Sequence, residues 1–351
     1  VQDEDSLVIT WEHTYEGSIT IDGYFNGAIE EIYFSYANVA GADNQYSIAD
    51  VEALLSQQAV ELNVIELGAG NNYAVGTNGS DLFIGGQGND TLIGEAGDDT
   101  FVVEGVNQGY DRVVGGDGVD SIVGGTGDDR IGLASLSVAD SIERFDGGEG
   151  VNTIAGSSSN SVLDFSSTEL LNIDQIEGGA GHDRVTGSQG DDRIVGGTGN
   201  DTLRGEAGDD TFVVEGSDQG YDRFIGGEGV DTVAGGAGDD RIAMTALSLS
   251  DSIERFDGGA GENVIAGSSS NNALDFSGTE LINIDRIEAG SGHDRVTGSQ
   301  GSDRIVGGTG NDLLAGGGGD DVLSGARGDD TPDPTPEQEW PPGSDGEQFV
   351  T

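Results

Sequence analysis

From residue 67 onward the chain repeats a short cycle in which a polar, glycine-rich stretch gives way to a brief apolar one. In GGQGNDTLIGEAGDDTFVV, starting at Gly85, the recurring apolar places fall on Leu92 and Phe101; in GGTGNDTLRGEAGDDTFVV, starting at Gly196, they fall on Leu203 and Phe212. The unit is nine residues long and reads G-G-x-G-x-D-x-(apolar)-x. Its first six residues predict a turn and its last three a short strand, with the apolar residue at place eight pointing inward to form a thin core. Four such units run in phase over 67–102, two over 115–132, four over 178–213 and two over 226–243, and four more with a truncated fifth cover 289–330.

A longer period of 111 residues lies over the short one. GAGHDRVTGSQGDDRIVGGTGND begins at Gly179 and GSGHDRVTGSQGSDRIVGGTGND at Gly290, and a more divergent copy starts at Gly68. The copies therefore span about 68–178, 179–289 and a partial 290–330. Between the runs of nonapeptides lie segments such as LASLSVADSIERFD (133–146) and FSSTELLNIDQIE (165–177). They carry apolar residues and no proline, and are expected to continue the stack as irregular turns.

Residues outside the repeat read differently. SLVITWEHTY, GSITIDGYF and EEIYFSY alternate as short strands, and SIADVEALLSQQ opens with Ser47 and Asp50 in a helix-capping arrangement. Residues 1–66 are thus expected to form a small strand-and-helix cap whose core holds Trp11, Tyr15, Tyr24, Phe25, Tyr33 and Phe34. All five prolines fall in TPDPTPEQEWPPGSDGEQFVT, which predicts a flexible tail over 332–351. The overall expectation is an all-β parallel roll or solenoid, 67–331, with a small α+β cap.

Composition sharpens this picture. Of 351 residues, 64 are Gly and 66 acidic, against 13 Arg and no Lys, for a formal charge of −53. Charge and hydrophobicity alone would place such a chain among disordered proteins. The charge excludes nucleic acid as a partner, because that binding relies on Lys and Arg meeting phosphate, and disfavours anionic membrane surfaces. No apolar run is long enough for a membrane-spanning helix, so membrane insertion is not expected. The absence of cysteine removes disulfides and thiolate metal sites. With Val1 in place of an initiator Met and no signal pattern, the sequence reads as a processed form or a piece of a longer protein.

The strong acidity argues for cations. Turn glycines permit positive φ, so successive carbonyls can face one space, and the Asp at place six adds a carboxylate beside them. A single turn of this kind buries little and repels its neighbour; a hard cation between stacked turns removes both problems. Calcium accepts about six to eight oxygens in irregular geometry, whereas magnesium demands a strict octahedron and zinc prefers His and Cys.

The nonapeptides resemble those of the RTX (repeats-in-toxin) family, over about 67–330. The resemblance implies a right-handed parallel β-roll with two nonapeptides per coil, multiple calcium ions between turns, type I export, and folding on reaching calcium outside the cell, typically of a Gram-negative bacterium. The segment 1–66 is similar to the small domain often found beside such repeats. Carried over place by place, the metal ligands would be Asp81, Asp90, Asp99, Asp120, Asp129, Asp183, Asp192, Asp201, Asp210, Asp231, Asp240, Asp294, Asp303, Asp312, Asp321 and Asp330. Backbone carbonyls of turns such as Gly85, Gln87, Gly196, Thr198, Gly307 and Thr309 would complete the shells. Asn72, Asn152 and Asn263 depart from the pattern, as do GSSSNS (156–161) and GSSSNN (267–272). Calcium is expected to be missing or weak there, with Ser and Asn side chains holding those turns.

Other candidates are weaker. His182 and His293 sit at place five, free to vary, and recur through the duplication rather than through catalysis. Arg327-Gly328-Asp329 spells an adhesion tripeptide within the repeat's own register, and NDT at 89 and 200 is an acceptor sequence that the nonapeptide generates by itself. Arg130, Arg184, Arg193, Arg241, Arg295 and Arg304 directly follow the place-six Asp and are expected to line an outward ladder pairing with acids. No catalytic motif is present. The sequence thus points to a non-enzymatic, secreted or cell-surface calcium solenoid: a spacer or building block of an adhesin, matrix fibre or S-layer-like assembly, with self-association as one partner mode. Two rivals stay open, the secretion and folding domain of an exported hydrolase and a module binding extracellular polysaccharide through the Arg ladder.

Overall fold

The protein is described by a computed structural model over residues 63–332, except 107 and 218, together with the backbone of 348–350. The expected cap lies outside these residues apart from Asn63–Glu66, which is the first strand of the roll and runs parallel to Asp81–Ile84. The fold is a parallel β-solenoid of about 13 turns.

In the pure repeat one coil contains two strands, as in Asp81–Ile84 followed by Thr91–Ala96. The coil length is not constant. Leu82 pairs with Thr100, 18 residues on; Thr100 with Ser121, 21 on; Ser121 with Arg144, 23 on; and Arg144 with Glu169, 25 on. On the facing side the steps from Ala74 run through Leu92, Val113, the strand Arg130–Ser135 with Leu136, and Leu163 to Val185, so that five coils make one 111-residue copy.

The segments expected to be irregular turns prove more ordered. They contain the strands Arg144–Asp146 and Glu169–Leu171, and with Thr153–Ala155 and Val162–Asp164 between these two the coil gains a third side. A short 3-10 turn, Val138–Asp140, makes one corner, and Leu249–Asp251 makes its counterpart in the next copy. Their apolar residues turn the chain into strands because the neighbouring coil already offers a parallel edge to pair with. Ser137 and Asp140 cap the corner reciprocally, and Arg112 pairs with Asp140 at 2.7 Å.

Place eight faces inward throughout. Phe83, Leu92, Phe101, Ile122, Ile194, Leu203, Phe212 and Leu323 are all buried, one per strand, forming a core about one side chain thick. Phe83 and Phe101 stack with ring centroids 4.8 Å apart. The widened coils hold more: Leu133, Leu136, Ile142 and Phe165 join Phe145, and Phe145–Phe165 and Phe256–Phe276 meet edge-on. At the far end Thr331–Pro332 pairs with Leu313 and Leu314. A flexible tail was expected throughout 332–351, yet the backbone of Gln348–Val350 forms a strand beside Val322–Ser324. After the prolines QFV brings the adjacent apolar residues Phe349 and Val350, and the last coil presents an edge to receive the strand.

The turns fall into two backbone classes that share one sequence pattern. In the first, places two and four are both left-handed, as at Gly197 (φ 95°) and Gly199 (φ 137°). In the second, as at Gly124–Asp129, neither place has positive φ. The difference predicts opposite tolerance at place four. A Cβ on Gly199 would collide with the Gly181 carbonyl, whereas one on Gly127 would meet nothing within 4 Å. Gly199→Ala is therefore expected to cost upwards of about 1–2 kcal/mol from the left-handed backbone alone, and Gly127→Ala to stay within about 0.5 kcal/mol of the parent. Chemical denaturation in millimolar calcium checks the pair, and equal effects would contradict the two-class description.

Candidate functional site: stacked carboxylates on the turn edges

The place-six aspartates form ladders along the turn edges. In most of them Oδ1 accepts the main-chain N–H of the place-six residue one coil earlier: Asp81 N–H to Asp99 at 2.7 Å, Asp183 to Asp201 at 2.7 Å, Asp192 to Asp210 at 2.8 Å, Asp312 to Asp330 at 2.9 Å. Oδ1 of Asp129 and Asp240 accepts instead from the Gly105 and Gly216 N–H, and that of Asp81 from the Asn63 amide. Of the sixteen expected ligands, all but Asp330 are buried.

The second oxygen separates the two turn classes. With left-handed places two and four, Oδ2 of Asp90, Asp99, Asp120, Asp183, Asp201, Asp210, Asp231, Asp294 and Asp312 is buried and accepts no hydrogen bond. Asp330 lies in a turn of the same backbone, with Ala326 at φ 71° and Gly328 at 148°, and Asp321 follows Gly317 at 96°. In the other class place two turns its N–H toward the acid. Thr77, Gly125, Ser188, Gly236 and Ser299 donate to Oδ2 of Asp81, Asp129, Asp192, Asp240 and Asp303, each at 2.6 Å.

Where place one is glycine the unpartnered oxygens aim at it, and in turns such as that of Gly178 the place-one carbonyl of the next coil points into the same space. A Cβ built on Gly178 would lie 2.6 Å from Gly196 O and 3.0 Å from Asp183 Oδ2. On Gly196 it would lie 2.5 Å from Asp201 Oδ2, on Gly85 2.9 Å from Asp90 Oδ2, and on Gly307 2.5 Å from Asp312 Oδ2. Glycine stands at place one in these turns except that of Asp294, where Ala289 takes the place and Oδ2 is still without a donor. The carbonyls of Gln87, Thr198 and Thr309 each accept an N–H from the preceding coil, from Gly70, Gly181 and Gly292, which leaves one lone pair apiece. Among the described residues no three His, Asp or Glu side chains converge. A cation in these turns would draw on main-chain carbonyls for most of its shell. Buried oxygens with no donor, facing carbonyls across a glycine cradle, fit a hard, irregularly coordinated cation such as calcium. They do not fit a nitrogen- or sulfur-seeking metal.

Burial without compensation penalises the charged form of these acids. It pushes Asp120 and Asp201 up to about 6 and Asp210 up to about 8, with neighbouring carboxylates adding to the rise. Asp111 and Asp222, which the repeat pattern missed, are likewise buried and rise to about 7 and about 8. They accept the N–H of Asp90 and Asp201 and continue those ladders. Their units keep only the Gly-x-Asp of places four to six, in QGYD, in phase with the unit that follows but not with the one before; that tripeptide and its nine-residue spacing to Asp120 and Asp231 were the available signal. Glu143 and Glu254 end two ladders by accepting from Asp120 and Asp231.

The remaining candidates are structural. His182 and His293 are not free positions: each Nδ1 accepts a main-chain N–H from the next coil, of Asn200 and Asn311, at 2.8 Å. Of the arginines following place six, Arg130 pairs with Glu177 at 2.5 Å, Arg193 donates to the Gln175 amide oxygen, and Arg241 lies over the Tyr221 ring. The expected acid-paired ladder is thus mixed, because the preceding coil sets Gln175 beside Arg193 and Tyr221 beside Arg241. Gly328 is the left-handed place four of its turn, so Arg327-Gly328-Asp329 belongs to the repeat. Among the described residues no helix is long and apolar enough to cross a membrane.

The raised acids fix the sign of a pH effect. In protein stripped of divalent ions the folded chain holds these protons more tightly than the unfolded one, whose carboxyls titrate near 3.8. Stability is then fullest below about pH 4 and lost as pH rises through about 6 to 8. Thermal melts followed by circular dichroism should show the metal-free roll more stable at pH 5 than at pH 8. Greater stability at pH 8 would contradict the assignment.

Comparison with known proteins agrees with this geometry. The family model for the RTX calcium-binding nonapeptide repeat (4 copies) matches residues 65–101, 106–131, 172–203, 186–216, 217–242, 250–278, 283–314 and 297–332, together more than half of the chain. No individual curated protein matches it. With aspartates stacked in register and the family's repeats recognised over more than half of the chain, the chain belongs to the RTX calcium-binding nonapeptide repeat family.

Proposed function

We propose that the protein is an extracellular structural solenoid that calcium folds, serving as a spacer in a surface or matrix assembly. The observation that carries this reading is the set of buried Oδ2 atoms that accept no hydrogen bond although the same carboxylates are otherwise fully engaged. Removing water from a carboxylate is costly unless a counter-charge or donor replaces it. Calcium in the turns with left-handed places two and four supplies that charge. Asp201 with the Gly196 turn and Asp312 with the Gly307 turn would be representative ligands.

Chemistry and location then agree. At the calcium levels found outside cells, sites of about 10⁻⁴–10⁻³ M affinity fill, whereas inside they do not, and a chain of charge −53 stays extended. Binding to the folded state alone draws the equilibrium toward the roll. A spacer needs length rather than chemistry, and each 111-residue copy adds five coils with the same register.

Removal of residues 179–289 tests the spacer reading, because it excises one whole period and rejoins like with like. In calcium the shortened chain should fold, and small-angle scattering should show a particle shorter by about 24 Å, five coils at roughly 4.8 Å each. Collapse of the remaining roll, or an unchanged length, would contradict it.

A further inference from the structure

The unpartnered carboxylate oxygens are not spread evenly. Among the described residues none falls within 124–178 or 235–289, although parallel ladders run through both stretches. What stands at the metal-facing position there is an amide. Asn152 Oδ1 accepts the Asp129 N–H at 3.1 Å, the ladder bond an aspartate would make, while Nδ2 donates to Asn172 O at 2.9 Å. Asn263 does the same, with Asp240 N–H at 3.0 Å and Asn283 O at 3.0 Å. A Cβ on Gly258 would lie 2.6 Å from Asn263 Nδ2, the place that Asp201 Oδ2 takes against Gly196. Where an aspartate turn sets two oxygens face to face, the asparagine turn sets a donor against an acceptor.

The neighbouring turns are closed in the same manner. Ser157 N–H bonds Ser161 Oγ at 3.0 Å, Ser268 N–H bonds Asn272 Oδ1 at 3.1 Å, and Asn272 Nδ2 reaches Ala289 O at 3.1 Å. The buried acids in these stretches, Asp129, Asp140, Asp240 and Asp251, have donors. Asp146 accepts from Asn172 Nδ2 at 2.7 Å, which with burial opposing holds its carboxyl below the usual range. These are also the three-sided coils with the added aromatic core.

We infer that each copy contains a block of coils, 124–178 and 235–289, in which side-chain amides and hydroxyls take the place of calcium, so that these blocks stay folded without the ion and act as templates for the calcium-dependent coils between them. The inference rests on the calcium reading of the aspartate turns and adds that the ion requirement is segmental. Adjacent coils pay the ordering entropy of nucleation only once, so a folded block offers its edge for the next strand.

Hydrogen–deuterium exchange on the full chain, in chelator and in millimolar calcium, reads this directly. In chelator, peptides from the two blocks should exchange about tenfold or more slowly than those from 183–231, and in calcium both should be protected. Uniform exchange in chelator with protection in calcium would overturn the segmental inference while leaving the calcium reading intact; uniform protection in chelator would overturn both. Asn152→Asp with Asn263→Asp should remove the blocks' protection in chelator and recover it in calcium. Asn152→Ala with Asn263→Ala, which supplies no carboxylate, should lose protection in both. Blocks unaffected by the Asp pair in chelator, or an Ala pair rescued by calcium, would refute the amide-for-ion exchange.

Discussion

Two oxygens of like charge cannot share a dry space, and the architecture of this protein follows from how each turn answers that constraint. The nonapeptide stacks its turns at strand spacing, which brings a place-six side chain beside the place-one carbonyl of the next coil. In one class of turn the conflict is left for a cation; in another the backbone N–H of place two rotates in to cap the acid. A third class changes the acid to an amide. The core alone could not decide the fold, because each strand of the pure repeat contributes a single fully inward side chain. Burying one such residue gives about 1.5–3 kcal/mol, against about 1–2 kcal/mol for fixing every residue of the coil. Cohesion has to come from the edges.

Much of this was written plainly in the sequence. The nine-residue beat gave the turn, the strand and the inward place, and glycine beside aspartate pointed to oxygen-rich cation sites. The turn classes were not legible, since Gly116 and Gly125 both stand at place two after a glycine, yet only Gly116 has positive φ. Gly125 turns its N–H to Asp129 of its own turn, and nothing in the nine letters marks that difference. Asp111 and Asp222 escaped for a related reason. The insertion that lengthens a coil from 18 to 21 residues shifts the written phase, while the parallel ladder keeps the spatial one. The segments 133–146 and 165–177 looked irregular because they lack the beat; they form the strands Arg144–Asp146 and Glu169–Leu171, which pair with each other in parallel.

The 111-residue period acquires a physical meaning from this. It is the smallest stretch that returns the roll to the same cross-section, narrow where turns are acidic and wide where they are closed by amides, hydroxyls and aromatic packing. Duplication at that length adds five coils without creating a mismatched junction, so the solenoid can lengthen while every coil keeps a matching neighbour. A strongly anionic exterior keeps such a rod soluble, and its ladders of Asp, Asn and His at place five spend their acceptors on neighbouring main chain rather than on a ligand.

A crystal structure grown in calcium tests the central claim most directly, through anomalous scattering at the turn edges. The account predicts peaks between Oδ2 and the stacked carbonyls in turns such as those of Asp183, Asp201 and Asp312, and none where Asn152 or Asn263 stands. Bare acidic turns of that class, or peaks shared equally with the asparagine turns, would contradict it.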